Sequence, residues 1–213
     1  MGKLALAAKV THVPSIYLSE QDGPRKGTRQ DAIDGLTEIG RRCREAGVDT
    51  IVVFDTHWLV NAGYHINCAP NFKGLYTSNE LPHFIRDMTY DYDGNPELGQ
   101  LIADEAVKLG VRAKAHNIPS LKLEYGTLVP MRYMNGDDRF KVVSVAAWCA
   151  WHALDDSRRF GAALRQAIEV VRAKIPKGEL TLASVRQLLD AADLWVFVTT
   201  AARYADAVPW ALL

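Results

Sequence analysis

The chain has 213 residues, which is long enough for one large domain with its own hydrophobic core. Its 25 Lys and Arg side chains balance 25 Asp and Glu side chains, so a surface built to track nucleic-acid phosphates is not expected. The apolar runs are too short for a membrane span or a secretory signal, and three widely spaced cysteines without a C-x-x-C pair favour the reducing cytoplasm.

The first quarter of the chain predicts a strand, a helix and a second strand. The first strand covers residues 3–12, and the helix covers residues 29–47, where apolar residues recur at spacings of three and four and Gly47 supplies the C-terminal cap. The second strand, residues 48–57, carries a continuous Ile-Val-Val-Phe run, as in strands covered on both faces. This order of elements predicts a βαβ unit.

The rest of the chain continues the alternation of strands and helices. The predicted elements are a strand at 64–68, a helix at 95–110 capped by Asn95, a strand at 111–118, a short helix or loop at 124–134, a strand at 140–148 and a helix at 156–174. The predicted fold class is therefore α/β, a single domain with a central mixed or mostly parallel sheet flanked by helices.

Two predicted strands end in the same dipeptide, at Thr11-His12 and at Thr56-His57. Ligands of open α/β sheets bind beyond the carboxyl ends of the strands, so one site could hold both imidazoles. Imidazole nitrogens bind Fe, Zn, Cu and Ni, and two histidines with one carboxylate form the open site of non-haem Fe(II) oxygenases. A structural, hydrogen-bonded role for each histidine is the alternative that spacing alone leaves open.

Asp55 precedes His57 by two residues, so in an extended strand both side chains lie on the same face. A carboxylate there could orient the imidazole through its second nitrogen. The alternative is that Asp55 caps the turn that follows the strand.

Four stretches, residues 3–20, 47–68, 76–106 and 115–135, closely resemble the class III extradiol ring-cleaving dioxygenases of the homoprotocatechuate type. The resemblance runs from Met1 to about Ile168. It implies that Fe(II) is held by two histidines and a glutamate, that a catechol and O2 bind the iron, and that the ring opens beside the diol to a muconate semialdehyde. It also implies 3,4-dihydroxyphenylacetate as substrate, a homo-oligomer, and His12 and His57 as the two histidine ligands.

The resemblance suggests roles for other residues too. His116 is a candidate for substrate contact or proton transfer. Tyr125 stands in Glu-Tyr-Gly where many relatives have Asp-His-Gly, so a phenol would replace a histidine thought to contact dioxygen or substrate. Candidates to bind the carboxylate of the substrate are Arg86, Lys122 and Arg132. His65 and His83 are interpreted as structural or subunit-contact residues, and His152 follows a predicted strand without support from a motif.

Beyond residue 168 the resemblance fades, so we divide the chain into an extradiol dioxygenase-like domain, 1–168, and a divergent tail, 169–213, packed on the same domain. No histidine follows His152 to match the acid–base histidine of the family, and the tail carboxylates, Glu179, Asp190, Asp193 and Asp206, lie in no family motif. We therefore expect the chain as written to cleave the substrate slowly or not at all. The resemblance also implies a strand in the tail, for which residues 178–184 are the candidate. A truncated or inactive relative and a non-catalytic subunit remain alternatives, and the third iron ligand is left open.

Overall fold

The computed structural model describes residues 3–136, 140–148, 153–173 and 193–199. The elements in these ranges are β1 (Lys3–Val10), α1 (Ser15–Glu20), α2 (Gln30–Glu45), β2 (Val48–Asp55), β3 (Tyr64–Asn67), β4 (Asn71–Tyr76), β5 (Met88–Asp93), α3 (Pro96–Lys108), β6 (Ala113–His116), α4 (Tyr125–Met134), β7 (Lys141–Ala147), α5 (Leu154–Ala173) and β8 (Asp193–Thr199). No helix in the described ranges is long and apolar enough to cross a membrane.

Six of the strands form one mixed sheet in the order β1-β8-β2-β7-β3-β6. The strands β1, β8, β2 and β7 run parallel to one another, while β3 pairs antiparallel with β7 and parallel with β6. The strands β4 and β5 form a separate antiparallel pair. The α/β fold with a central mixed sheet flanked by helices is therefore confirmed.

The backbone of β8 lies between β1 and β2 in the sheet. It pairs in parallel register with both neighbours, so that the backbone of Val196 is opposite Ala7 on one side and Val52 on the other. The division of the chain at residue 168 stays a prediction, and α5 runs through that position. The strand predicted at 178–184 lies outside the described residues.

The sheet separates two hydrophobic clusters. Alternate residues of β2 face opposite sides, because side chains in a strand alternate. Val53 belongs to the cluster under α1, α2 and α4, whereas Val52 belongs to the cluster under α3 and α5. Both valines are fully buried, as expected for a strand covered on both faces.

The helix ends agree with the local sequence. The side-chain oxygen of Asn95 accepts a hydrogen bond from the Leu98 N–H at 3.1 Å, and Pro96 occupies the first helical position of α3. Gly47 follows α2 with a φ of 72°, a left-handed conformation that glycine adopts without a Cβ clash. Both termini were predicted from the sequence.

Two features differ from the sequence-based expectation. The short helix α1 and the β4–β5 pair were not predicted, although β5 buries alternate residues, Met88, Tyr90 and Tyr92. The strands β1 and β2 also end two residues earlier than expected. As a result His12 and His57 lie in the loops that follow the strands.

The packing of α2 against α4 depends on Gly40. A Cβ at this position would lie 2.2 Å from the carbonyl oxygen of Met134, too close for any side chain. The two helix backbones therefore approach each other more closely than any larger residue would permit.

We expect Gly40→Ala to destabilise the protein by about 1–3 kcal/mol, since overpacking forces the helices apart. Urea denaturation measures the loss. The matched control is Gly35→Ala in the same helix, where a new Cβ meets no atom within 4 Å. This control should be neutral or stabilising by about 0.5–1 kcal/mol. Equal losses in the two variants would contradict the close-approach argument.

Candidate metal and catalytic centre

The loops after β1 and β2 bring His12 and His57 together. Their Nε2 atoms are 2.9 Å apart, and the ring planes meet at 64°. His12 is buried and His57 is half-buried. The two imidazoles predicted from the paired Thr-His endings therefore direct the same nitrogen toward one point.

Both imidazoles are held in the neutral form that metal ligation requires. The pKa of His12 is lowered to about 4, mainly by burial and to a smaller extent by the nearby charge of His57. Burial also lowers the pKa of His57, opposed by the negative charges of Asp55 and Glu80. Nδ1 of His12 is buried and has no hydrogen-bond partner among the described residues.

The separation of the two nitrogens fits a shared metal ion. Nitrogens that each lie about 2.1 Å from one metal, at a right angle to each other, are about 3 Å apart. The observed 2.9 Å is close to that value. Within the described ranges no group of three or more His, Cys, Asp and Glu side chains is close enough to hold a metal. The two nitrogens are thus spaced as two adjacent ligands of one metal ion would be.

Asp55 holds the backbone that carries His57. Its Oδ1 accepts hydrogen bonds from the backbone N–H groups of His57, at 2.8 Å, and Trp58, at 3.3 Å. Its Oδ2 accepts from the Thr127 hydroxyl at 2.6 Å. These contacts match the turn-capping alternative for Asp55, so its carboxylate positions His57 through the main chain.

The carboxylate of Asp55 is buried, and its position limits which residues can pack next to it. Burial raises the pKa of Asp55, and the hydrogen bonds from Thr127 and the following backbone oppose this rise. A Cβ on Gly126 would lie 2.2 Å from Oδ1 of Asp55, so only glycine leaves room for the carboxylate. Thr127 also contacts the Ser144 hydroxyl at 3.0 Å, which links α4 to β7.

Tyr125 lies directly against the histidine pair. Its ring centroid is 3.9 Å from that of His57 and 6.0 Å from that of His12. Its hydroxyl donates a hydrogen bond to Glu80 at 3.2 Å. Burial, and then the negative charge of Glu80, raise the pKa of Tyr125, so the phenol stays protonated at neutral pH. The structure thus brings Tyr125 to the centre where the sequence placed it only by resemblance.

Glu80 was not predicted as part of this centre. It lies in an exposed loop between β4 and β5, and its sequence context offers no motif. Only the fold of the β4–β5 pair brings this loop to the hydroxyl of Tyr125. The alternating apolar and polar residues of β5 could have predicted the β4–β5 pair. They do not predict the path of the loop that carries Glu80.

His116 lies at the end of β6, beside Trp58 and His65 rather than beside His12. Its Nε2 is 2.7 Å from Nδ1 of His65. The Trp58 ring contacts both imidazoles, with centroid distances of 6.3 Å to His65 and 6.0 Å to His116. Trp58, which follows His57 directly, thus links this second histidine pair to the loop that carries His57.

The three candidate cations have different environments. Arg132 donates two hydrogen bonds to the carboxylate of Glu20, and it lies over the ring of Tyr17 at 5.2 Å. Arg86 and Lys122 are exposed. The contacts of Arg132 therefore serve the packing of α1 against α4.

The remaining predicted residues lie away from the centre or outside the described chain. His83 is exposed and contacts Phe84, at a centroid distance of 4.7 Å. Of Asp193 only the backbone is described, as the first residue of β8. His152, Glu179, Asp190 and Asp206 fall outside the described residues.

The hydrogen bond from Thr127 to Asp55 gives a prediction about stability. We expect Thr127→Val to destabilise the protein by about 1–3 kcal/mol, because it leaves a buried carboxylate oxygen without its donor. Thr127→Ser is the matched variant: it keeps the hydroxyl and should cost only about 0.8 kcal/mol for the lost methyl group. Chemical denaturation compares the two. A larger loss with Ser than with Val would refute the role of the hydroxyl.

Two known dioxygenases are similar to this chain. The chain is 75% identical over 169 residues to a 3,4-dihydroxyphenylacetate 2,3-dioxygenase from Escherichia coli, which covers 79% of this chain and 61% of that protein. It is 24% identical over 150 residues to a 2-aminophenol 1,6-dioxygenase beta subunit from a Pseudomonas species, covering 68% of this chain and 49% of that protein. The chain thus spans about half to three fifths of these relatives.

A solved structure and a family model complete the comparison. The crystal structure of an uncharacterized protein from Escherichia coli K12 matches with a TM-score of 0.46 and 15% identity, over 79% of this chain and 52% of that one. Residues 6–175 match the model described as the catalytic LigB subunit of aromatic ring-opening dioxygenase. This chain therefore belongs to the LigB family of aromatic ring-opening dioxygenases.

Proposed function

We propose that this chain carries the iron-binding and substrate-binding part of an extradiol dioxygenase that opens the ring of 3,4-dihydroxyphenylacetate with O2, giving a muconate semialdehyde. The observation that supports this most is the 2.9 Å convergence of the Nε2 atoms of His12 and His57. The identity of 75% to a relative of that name supports the choice of substrate.

His12 and His57 would hold the metal, which we infer to be Fe(II). Fe(II) bound there would supply a Lewis acid and a route for electrons from a catecholate to dioxygen. The lowered pKa values of both imidazoles keep one nitrogen of each ring without a hydrogen at neutral pH, as metal ligation requires. Burial of His12 also excludes water from one side of the pair.

The surrounding residues have separate tasks in this proposal. Tyr125 stays a protonated phenol beside the histidine pair, and its one hydroxyl hydrogen, which is donated to Glu80 here, would turn to a bound ligand. Asp55 keeps the His57 backbone in place. His116 takes the proton of a catechol hydroxyl as general base. Of the cations, Arg86 and Lys122 are the candidates for the substrate carboxylate, because Arg132 is already paired with Glu20.

We also infer a homo-oligomer in the cytoplasm, without nucleic-acid or membrane partners. Cys43 and Cys68 are buried thiols, which is consistent with a reducing compartment. The subunit named in the aminophenol relative supports assembly in this family. That relative also favours a second candidate function, a subunit that works with a longer homologous chain.

The metal assignment is tested by iron content. We expect His57→Ala to lose the iron taken up on anaerobic reconstitution while its circular dichroism stays unchanged, because His57 lies in a loop after the strand. His83→Ala, an exposed histidine on another loop, is the matched control and should keep the iron. Iron retained by His57→Ala would refute the ligand assignment, and lost secondary structure would favour a structural role for His57.

Ring cleavage is tested by adding oxygen and 3,4-dihydroxyphenylacetate to the reconstituted protein and following the yellow ring-opened product. We expect turnover to be slow at most and to be absent in His57→Ala, since the described residues bring only two candidate metal ligands together. Turnover by this chain alone supports the dioxygenase. Iron binding without turnover favours an inactive relative, and turnover only with a longer homologous chain favours the subunit.

A further inference from the structure

The imidazoles of His65 and His116 form a second pair that the metal centre does not use. They lie on the neighbouring strands β3 and β6, where Asn67 is in register with His116. Their ring planes differ by only 8°, and the nitrogens are 2.7 Å apart. The centroid separation of 5.0 Å equals the distance between the two nitrogens plus the distance from each ring centre to its own nitrogen. The rings therefore meet edge to edge, and the hydrogen bond lies in their common plane.

The direction of this hydrogen bond follows from the other side of His65. Nε2 of His65 lies 3.0 Å from the carbonyl oxygen of Ala62, which can only accept, so this nitrogen carries a hydrogen. In the neutral ring Nδ1 of His65 is then bare and accepts. Its partner, Nε2 of His116, must be the donor, which leaves Nδ1 of His116 without a hydrogen.

Both histidines lie on the same face of the sheet as Asp55. Tyr64 and Ile66 of β3 pack under α3 and α5, so His65 between them points to the opposite face. Ala146 of β7 is the backbone partner of both His65 and Asp55, which places these two residues in one row across three strands.

The same alternation orients β6. Ala113 and Ala115 pack in the cluster under α3 and α5, so His116 faces the side that carries the metal centre. The Trp58 ring, adjacent in sequence to His57, contacts both imidazoles of the pair. The pair therefore lies on the sheet face that carries Asp55 and is linked through Trp58 to the loop that holds His57.

We propose that His65 is a positioning residue that fixes His116 in the tautomer with a hydrogen on Nε2, so that Nδ1 of His116 is the nitrogen that takes the substrate proton. The acid–base role of His116 rests on the proposed function, whereas the tautomer does not. Burial, followed by the charges of His65 and Lys114, lowers the pKa of His116, so the ring is neutral and able to accept at neutral pH.

The proton transfer balances within this arrangement. The O–H bond of the catechol breaks, its electron pair stays on oxygen, and a new N–H bond forms at Nδ1 of His116. The imidazolium so formed still donates from Nε2 to the bare nitrogen of His65, and this hydrogen bond is stronger because its donor is charged. His65 thus stabilises the protonated form of His116 without taking the proton.

The tautomer is tested in the metal-free chain, independently of any activity. Long-range ¹H–¹⁵N correlation spectra of ¹⁵N-labelled protein distinguish bare from protonated imidazole nitrogens. We expect a bare Nδ1 and a protonated Nε2 for His116, and the same tautomer for His65 with its hydrogen on Nε2 and its Nδ1 bare. A hydrogen on Nδ1 of His116 in the unmodified protein would overturn the proposal whether or not the protein cleaves catechols.

Two variants test the consequence for the reaction. His65→Ala should lower kcat by about 10–100-fold with little change in KM, the usual cost of losing the partner that orients a functional histidine. His65→Asn offers an amide oxygen where Nδ1 was and should recover most of kcat and the Nε2 tautomer of His116. His83→Asn is the control for the substitution itself. A kcat for His65→Asn that is no higher than the kcat for His65→Ala would also overturn the proposal.

The two proposals fail in different ways. If the reconstituted protein does not turn over but His116 has the expected tautomer, the proposed function fails and the tautomer fixed by His65 stands. If the protein turns over normally in His65→Ala, the positioning role fails and the proposed function stands.

Discussion

The buried carboxylate of Asp55 is the constraint on which the candidate centre depends. A buried acceptor with several lone pairs must be satisfied by donors, or it costs free energy. Here the donors are the backbone of His57 and Trp58 and the hydroxyl of Thr127. One side chain therefore fixes the loop after β2, the start of α4 and, through Thr127, the contact with β7.

The position of Tyr125 follows from this constraint. Gly126 must lack a Cβ to leave room for Asp55, so the backbone at the start of α4 comes close to the loop after β2. Tyr125, the preceding residue, is then pressed against the His57 ring at 3.9 Å. The Tyr-Gly-Thr sequence thus combines a residue at the reactive centre, a residue that permits close approach and a residue that supplies a donor.

The mixed direction of the sheet brings the start of β3 to the level of the carboxyl end of β2. The strands β2 and β7 run parallel, but β3 and β6 run the other way beside them. Residues near the start of β3 therefore lie beside the carboxyl end of β2, and the following Trp58 contacts His65 and His116. In an all-parallel sheet the beginning of β3 would lie at the opposite edge. The reversal therefore brings His65 level with Asp55 at the end of β2, and His116 joins it through their hydrogen bond.

Local sequence determined much of this protein. The βαβ start, the caps at Asn95 and Gly47, and the buried strand before Asp55 follow from propensity and periodicity, because those depend on neighbouring residues. The paired Thr-His endings likewise predicted the meeting of His12 and His57, because parallel strands end at one edge. For Asp55, the sequence left two roles open, and only the folded chain decided between them.

Tertiary structure alone decided what depends on distant residues. The pairing of His65 with His116 joins positions 51 apart, and the contact of Glu80 with Tyr125 joins positions 45 apart. No local pattern encodes such contacts, since they arise from strand order, strand direction and the path of a loop. The sequence by itself therefore determined which residues have the chemistry for a metal and a proton. The fold decided which nitrogen of His116 is bare, because that depends on a hydrogen bond between strands.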